Sequence, residues 1–420
     1  MAGVIRTTGA AGKTSIPGQM ADAGDARPAQ ITFGNRAAWR DALIAWVASR
    51  AALALLTFAG QWLVSGHAPT GQAFIQPWTI DWDAAIYSTL ATTGYTSPVQ
   101  AAFFPLLPLL EHVAAIVFGG NTATAGIVLA NVASLGAFGL LRVLIEREAG
   151  QAVARRTLLY LVIFPTAFFL AAGYTEALFL LLSIGAFLAL RSQRWLLAGG
   201  LAALAALTRP VGILLVVACA AEAWQLVDRP PLGVSWAGAL RALRARGAEW
   251  LRMAGALALP PLAVAAFSTY LYSALGNPTA ITSAFASGWG TQLSWPWDGL
   301  VRAVGAALTE PAPFNIHATL DIAFVVLFIV LTVASLWRLP LPFTLYACAN
   351  LALVLLTPTH ISLAWFALAS DNRYMLSVFP LFWLLARWGE RRWLHLAIVT
   401  VSLLLFVFFT LAYANGAWVG

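Results

Sequence analysis

Charge is what this 420-residue chain has least of: 10% of its residues are charged and 60% are hydrophobic. A soluble domain carries about 25% charged residues, so a soluble globular protein is excluded and an integral membrane protein is indicated. No stretch is long and polar enough to form a separate soluble domain. The two cysteines, Cys219 and Cys348, both lie in apolar runs, which excludes a disulfide framework and points to packing. His112, His317 and His360 are scattered without short ligand spacing, so neither a metal nor a cofactor is expected. Residues 1–36 are rich in Ala, Gly, Thr and Pro and lack the apolar core of a signal peptide. They read as a disordered cytoplasmic N-terminus. The net charge of +7 is spread through short loops, a topology signal rather than a nucleic-acid patch.

What the chain does have is a series of apolar runs long enough to cross a bilayer as helices. Spans are expected at 38–64, 122–145, 157–172, 175–190, 195–207, 211–227, 253–275, 318–337, 341–357, 374–386 and 393–413. That makes an all-α, polytopic bundle of about 11 spans over 37–420. The shorter ones, 157–172 and 195–207, are expected to be tilted or buried.

Arginines precede the first span, and residues 65–102 contain neither Lys nor Arg. The positive-inside rule then puts the N-terminus in the cytoplasm and this loop outside. The apolar piece 104–118 either crosses or lies along the surface. If it lies along the surface, all 24 Lys and Arg residues except Arg209, Arg302 and Arg373 fall on the cytoplasmic side. If it crosses, the bias disappears. Pro105, Pro108, Glu111 and His112 also suit a surface-lying helix. The first external loop is therefore 65–121. Loop 228–251 is basic and cytoplasmic, with a surface helix facing anionic lipid. Loop 276–316 is external, and its Trp289, Trp295 and Trp297 read as interfacial belt residues. No fixed-period repeat is visible, which argues against a transporter built from repeats.

The charged residues left on the outer side are Asp81, Asp83, Glu111, Glu176, Arg209, Asp298, Arg302, Glu310, Asp321, Asp371 and Arg373. Polar groups at membrane depth are costly and mark sites. Asp81 and Asp83 face the same way if extended. Asp83 is either a first-turn acid on the helix that follows or a general base for an acceptor hydroxyl. Tyr174-Thr175-Glu176 is either a capped helix start or a hydrogen-bonding wall of a site. Arg209, at the break Thr208-Arg209-Pro210, either binds a phosphate or pairs with Glu176 or Asp371. Arg373, in Asp371-Asn372-Arg373-Tyr374, either grips a phosphate or anchors the helix at the interface.

The ordered set Trp82-Asp83-x-x-x-Tyr87, Gly94-Tyr95, Phe103-Phe104-Pro105-Leu106-Leu107-Pro108, Tyr174-Thr175-Glu176, Thr208-Arg209-x-x-Gly212 and Arg373-Tyr374 resembles the PIG-V family of mannosyltransferases. That family sits within the GT-C class of membrane glycosyltransferases, and the likeness is to a bacterial branch. Where members commonly have Ser-Asn after the Thr-Arg, Pro210-Val211 stands here. The resemblance implies a polyprenyl-phosphate sugar donor, mannose as the sugar, and a hydroxyl acceptor on a glycolipid, glycan or protein. It implies a hexosyltransferase in the plasma (inner) membrane, among membrane lipids, with its active site on the extracytoplasmic side. By the motifs, Asp83 is the base; Asp81 lies outside the Trp-Asp match, so its role stays open, with support of Asp83 as the reading taken. Arg373 and Arg209 are assigned to the donor phosphate, and Tyr87, Glu176, Tyr174 and Asp371 to substrate. A polyisoprenoid or lipid transporter and a non-catalytic scaffold of an envelope assembly remain as alternatives.

Overall fold

The computed structural model describes residues 35–226, 247–361, 366–368, 370–417 and 419. The expected N-terminal segment lies outside the described residues except for Asn35 and Arg36, and so does loop 228–251 up to residue 246.

Among the described residues every regular element is helical. The chain runs α1 (Arg36–Ser65), α2 (Gly71–Thr79), α3 (Asp83–Thr93), α4 (Leu106–Ala114), α5 (Thr122–Ala149), α6 (Gln151–Val162), α7 (Glu176–Leu190), α8 (Trp195–Ala206) and α9 (Leu215–Leu226). It continues through α10 (Gly247–Leu275), α11 (Ala280–Trp289), α12 (Asp298–Thr309), α13 (Phe314–Ser335), α14 (Leu341–Leu356), α15 (Asp371–Ser377), α16 (Pro380–Trp388) and α17 (Arg392–Ala414). Helices α1, α5, α10, α13 and α17, of 22 to 30 residues, are long and apolar enough to cross a membrane. At ~1.5 Å per residue each exceeds the ~30 Å hydrocarbon thickness. Helix α5 is the central post: 56% of its apolar window is buried, against 17–33% for the other four.

Two expected spans are broken, each at a proline. Residues 157–172 form the end of α6, which stops at Val162 ahead of Pro165, and then a 3₁₀ turn, Ala167–Leu170. Residues 374–386 divide into α15 and α16. Pro380 has no N–H to donate back along the helix, so the chain opens at Val378 and restarts with the proline in the first turn.

The first loop folds as α2, α3, a 3₁₀ turn at Pro98–Ala102, and α4. Helix α4 has nine residues, with Pro108 in its first turn. At about 14 Å it is too short to cross a bilayer by itself. Residues 276–316, expected as an external loop, contain α11 and α12. Asp298 starts α12 and accepts the Trp295 N–H at 3.1 Å.

One end of the bundle is laced with ion pairs. Asp41 meets Arg142 and Arg155, Glu146 meets Arg142, and Arg191 meets Glu148 and Glu222. These groups sit at the N-terminal ends of α1 and α6 and the C-terminal ends of α5, α7 and α9. The N-terminus of α7, where the first loop docks, is at the opposite end.

Candidate active site

Backbone contacts hold the first loop against the bundle. Gly94 ends α3 at φ 69, a conformation glycine adopts without penalty. Next to it, the Tyr95 hydroxyl donates to the Phe103 carbonyl at 2.6 Å. The Leu106 N–H donates to the Leu207 carbonyl at 2.9 Å, which pins the start of α4 to the end of α8. The Gly173 N–H reaches the Trp78 carbonyl at 2.8 Å, and the Tyr413 hydroxyl reaches the Pro77 carbonyl at 2.5 Å. The loop is thereby tied to α8, to the turn before α7 and to α17.

The break after α8 presents Arg209. Its backbone is extended (φ −149, ψ 147) and a 3₁₀ turn at Pro210–Leu214 follows, as expected for a residue preceding proline. Gly212 packs on the backbone of Ala205 and Ala206, where any Cβ would overlap. That close approach folds the chain back and aims Arg209 into the bundle.

Asp83, Glu176, Arg209 and Arg373, far apart in sequence, meet at this point. Arg373 donates from Nε and Nη2 to Glu176 Oε1 at 3.0 and 2.6 Å, and from Nη2 to Asp83 Oδ2 at 3.0 Å. Arg209 Nη1 lies 2.5 Å from the same Glu176 oxygen and 3.4 Å from Thr175 Oγ1. The Arg373 guanidinium lies over Phe169 and Tyr174, 4.4 and 5.0 Å from their centroids, and Arg209 lies 5.5 Å from that of Tyr374. Such cation–π contacts are worth more where water is excluded. Glu176, Arg209 and Arg373 are buried, while the Asp83 side chain is 23% exposed. Two carboxylates and two guanidiniums compensate one another, which such burial requires. Asp83 is therefore the member of the quartet most open to a ligand.

The local structure bears on the two readings of several residues. Thr175 precedes α7 but makes no side-chain cap, and Glu176 is engaged by both arginines. Asp83 opens α3 as its first-turn acid and is also on Arg373. Arg373 is 6% exposed, too buried for an interfacial anchor. Asp81 is apart from the quartet: its Oδ1 accepts from Gln76 Nε2 at 3.1 Å. The cause lies in Trp82, whose φ of 54 and ψ of −127 break the extended geometry that would align the two aspartates. A non-glycine residue held there costs about 1–3 kcal/mol, and such strain concentrates at functional sites.

Tyr87 is buried, its hydroxyl meeting Thr175 and its ring edge-on to Phe103 at 5.3 Å. Burial holds that hydroxyl well above the usual tyrosine range, protonated. Tyr174 is part of the aromatic floor under Arg373, with Phe169 and Tyr413. Asp371 is buried with Oδ2 unpartnered, and it faces Asp321 rather than the quartet. Arg302 is tied elsewhere: Nη1 meets His360 Nδ1 at 2.6 Å and Nη2 donates to the Ile361 carbonyl at 3.0 Å. Trp295 and Trp297 stack on each other and stay exposed, whereas Trp289 packs on Phe103. Among the described residues no cluster of three metal-ligating side chains is present.

Phe169 and Tyr413 shape the site without any signal in the sequence, since each sits in an apolar run. Tyr374 could be found from its place beside Arg373. Trp78 could be found only as an aromatic in the first loop.

An all-helical membrane bundle with a buried acid–arginine cluster at one end is the class that the fold and site define. Residues 71–229 match the model of the family described as Mannosyltransferase (PIG-V), so over that stretch the chain resembles this family. The match supports a membrane glycosyltransferase. Asp81, Asp83, Tyr87, Tyr174, Glu176 and Arg209 lie inside the matched stretch, and Asp371 and Arg373 lie beyond it. A search of curated proteins gave no match. Among solved structures, the crystal structure of the Archaeoglobus fulgidus oligosaccharyltransferase in complex with zinc and sulfate is similar at 15% identity and a TM-score of 0.35. The likeness covers 82% of this chain and 49% of that one, so this chain spans about half its length.

Proposed function

We propose that this protein transfers a sugar, mannose, from a polyprenyl-phosphate donor to an acceptor hydroxyl at the extracytoplasmic face, by a single inverting displacement. The acceptor is a hydroxyl on a glycolipid, a glycan or a protein. The observation that carries the reading is the ion pair between Asp83, the most open member of the quartet, and Arg373. It sets a carboxylate beside a buried cation, inside a loop that resembles a mannosyltransferase family. Asp83 takes the proton of the acceptor hydroxyl, whose oxygen attacks the anomeric carbon. The carbon–oxygen bond to the phosphate breaks, and its electron pair leaves with the polyprenyl phosphate. Arg373 and Arg209 stabilise the charge that develops there. Tyr87 and Tyr174 form walls near the reacting groups, and neither Asp81, on Gln76, nor Asp371, facing Asp321, touches the donor phosphate in this reading.

In this reading 37–420 is one transmembrane domain of the plasma (inner) membrane. The N-terminus is cytoplasmic, and 65–121 is the external loop that carries the base. The test incubates purified protein with polyprenyl-phosphate-[¹⁴C]mannose and membrane extract. Transfer of label to an acceptor supports the reading. Movement of intact lipid across a vesicle without transfer makes the protein a transporter, and neither event makes it a scaffold.

A further inference from the structure

The two carboxylates on Arg373 are held differently. Glu176 is 1% exposed; it takes two hydrogen bonds from Arg373 and the ion pair from Arg209. It projects from the first turn of α7, whose residues are almost all buried. The Asp83 side chain is 23% exposed and takes one hydrogen bond, from Nη2. It projects from α3 directly after the strained Trp82. Glu176 is thus a fixed strut, and Asp83 is the partner that a ligand can displace.

We propose that Asp83 and the donor's phosphate compete for the same Nη2 edge of Arg373, so that arrival of the donor releases the base. The proposal rests on the reading of Asp83 as base and Arg373 as phosphate ligand. At rest Oδ2 of the Asp83 carboxylate accepts from Arg373, which orients the group toward the guanidinium rather than toward an incoming hydroxyl. A phosphodiester anion offers the guanidinium an acceptor of matching geometry. Exchange leaves Arg373 paired and Asp83 as the one uncompensated carboxylate. Taking the acceptor's proton neutralises it, as the new bond to the anomeric carbon forms and the bond to phosphate breaks. Glu176 is the positioning residue in this scheme: by holding Nε and Nη2 it keeps the guanidinium from following Asp83. Donor therefore binds before acceptor, and the base is released from Arg373 only when a leaving group is in place.

The test titrates farnesyl phosphate into the full-length protein in detergent, comparing wild type with Asp83→Asn, Asp81→Asn and Arg373→Ala, each checked for folding by thermal unfolding. Asp83→Asn is expected to bind the phosphate about tenfold tighter than wild type while transferring sugar far more slowly. Asp81→Asn removes an equal charge that does not touch Arg373, and it should leave the affinity unchanged. Arg373→Ala should bind about tenfold weaker. Asp83→Ser, which also removes the competing charge, replaces Asp83→Asn should that variant not fold. If Arg373→Ala weakens binding but Asp83→Asn does not tighten it, competition is ruled out while the donor-site reading survives. Equal tightening by Asp81→Asn reduces the effect to general charge and also overturns the proposal. If Arg373→Ala binds like wild type, the phosphate reading itself fails, and the competition with it.

Discussion

Arg373 and Arg209 converge on one atom, Oε1 of Glu176, at 2.6 and 2.5 Å. Both guanidiniums are buried and Asp83 is the only other carboxylate paired with either of them among the described residues. A single acid on α7 therefore fixes the two cations contributed by the break after α8 and by α15.

Removing that acid leaves two buried cations short of compensation. Loss of one partner from a buried pair costs about 3–5 kcal/mol. Glu176→Gln is expected to unfold at clearly lower temperature than wild type and to lose transfer activity even well below that temperature. A Glu176→Gln protein with unchanged thermal unfolding would show that the cluster contributes nothing to stability.

Gly212 is the hinge that aims Arg209. A methyl at this position overlaps the carbonyl of Ala205 and the N–H of Ala206, both backbone, so it cannot be absorbed by a rotamer change. Overpacking of this kind costs about 1–3 kcal/mol. Gly212→Ala should lower thermal stability and weaken transfer, with Arg209 displaced. Gly200→Ala is the control, because nothing lies within 4 Å of its added Cβ. Equal behaviour of the two variants would contradict the close approach.

Glu111 gives the fold a pH dependence. It is buried in α4 with one oxygen unpartnered, and burial pushes its carboxyl up to about 9. In the unfolded chain it titrates near the ordinary value of about 4.3. Between these two values the folded state holds a proton that the unfolded state has lost. This contribution is fully present below about pH 4.3 and is lost as pH rises towards about 9. Glu111→Gln has no proton to lose. Its unfolding temperature relative to wild type should therefore rise between about pH 5.5 and about pH 8.5. A constant difference across that range would show that Glu111 does not titrate in this way.

How much of this was legible in the sequence depended on whether the signal was local. Asp83 stood out as a carboxylate in a loop with no Lys or Arg. Arg209 and Arg373 stood out against the charge bias, and Arg209 also by the proline after it. The pairing of Arg209 with Glu176 was one of two readings left open. The sharing of one Glu176 oxygen by two arginines was not legible, because residues 176, 209 and 373 come together only through packing of α7, α8 and α15. Phe169 and Tyr413 look like any other apolar-run residue until the bundle places them beneath Arg373. The separation of Asp81 from Asp83 depends on the backbone of Trp82, a conformation that residue type alone disfavours. The breaks at Pro165 and Pro380 were readable in principle, since both prolines fell within or beside expected spans. The apolar content of both stretches masks the missing N–H.

The central claim is that Asp83 is the base of a sugar transfer. Its most direct test is the initial rate of mannose transfer from polyprenyl-phosphate-[¹⁴C]mannose by purified Asp83→Asn protein, with its fold verified against wild type. General-base assistance is worth roughly 10²–10⁴-fold, so the variant is expected to fall below wild type by a factor in that range while still binding the donor phosphate. Transfer by Asp83→Asn at a rate near that of wild type would contradict the account.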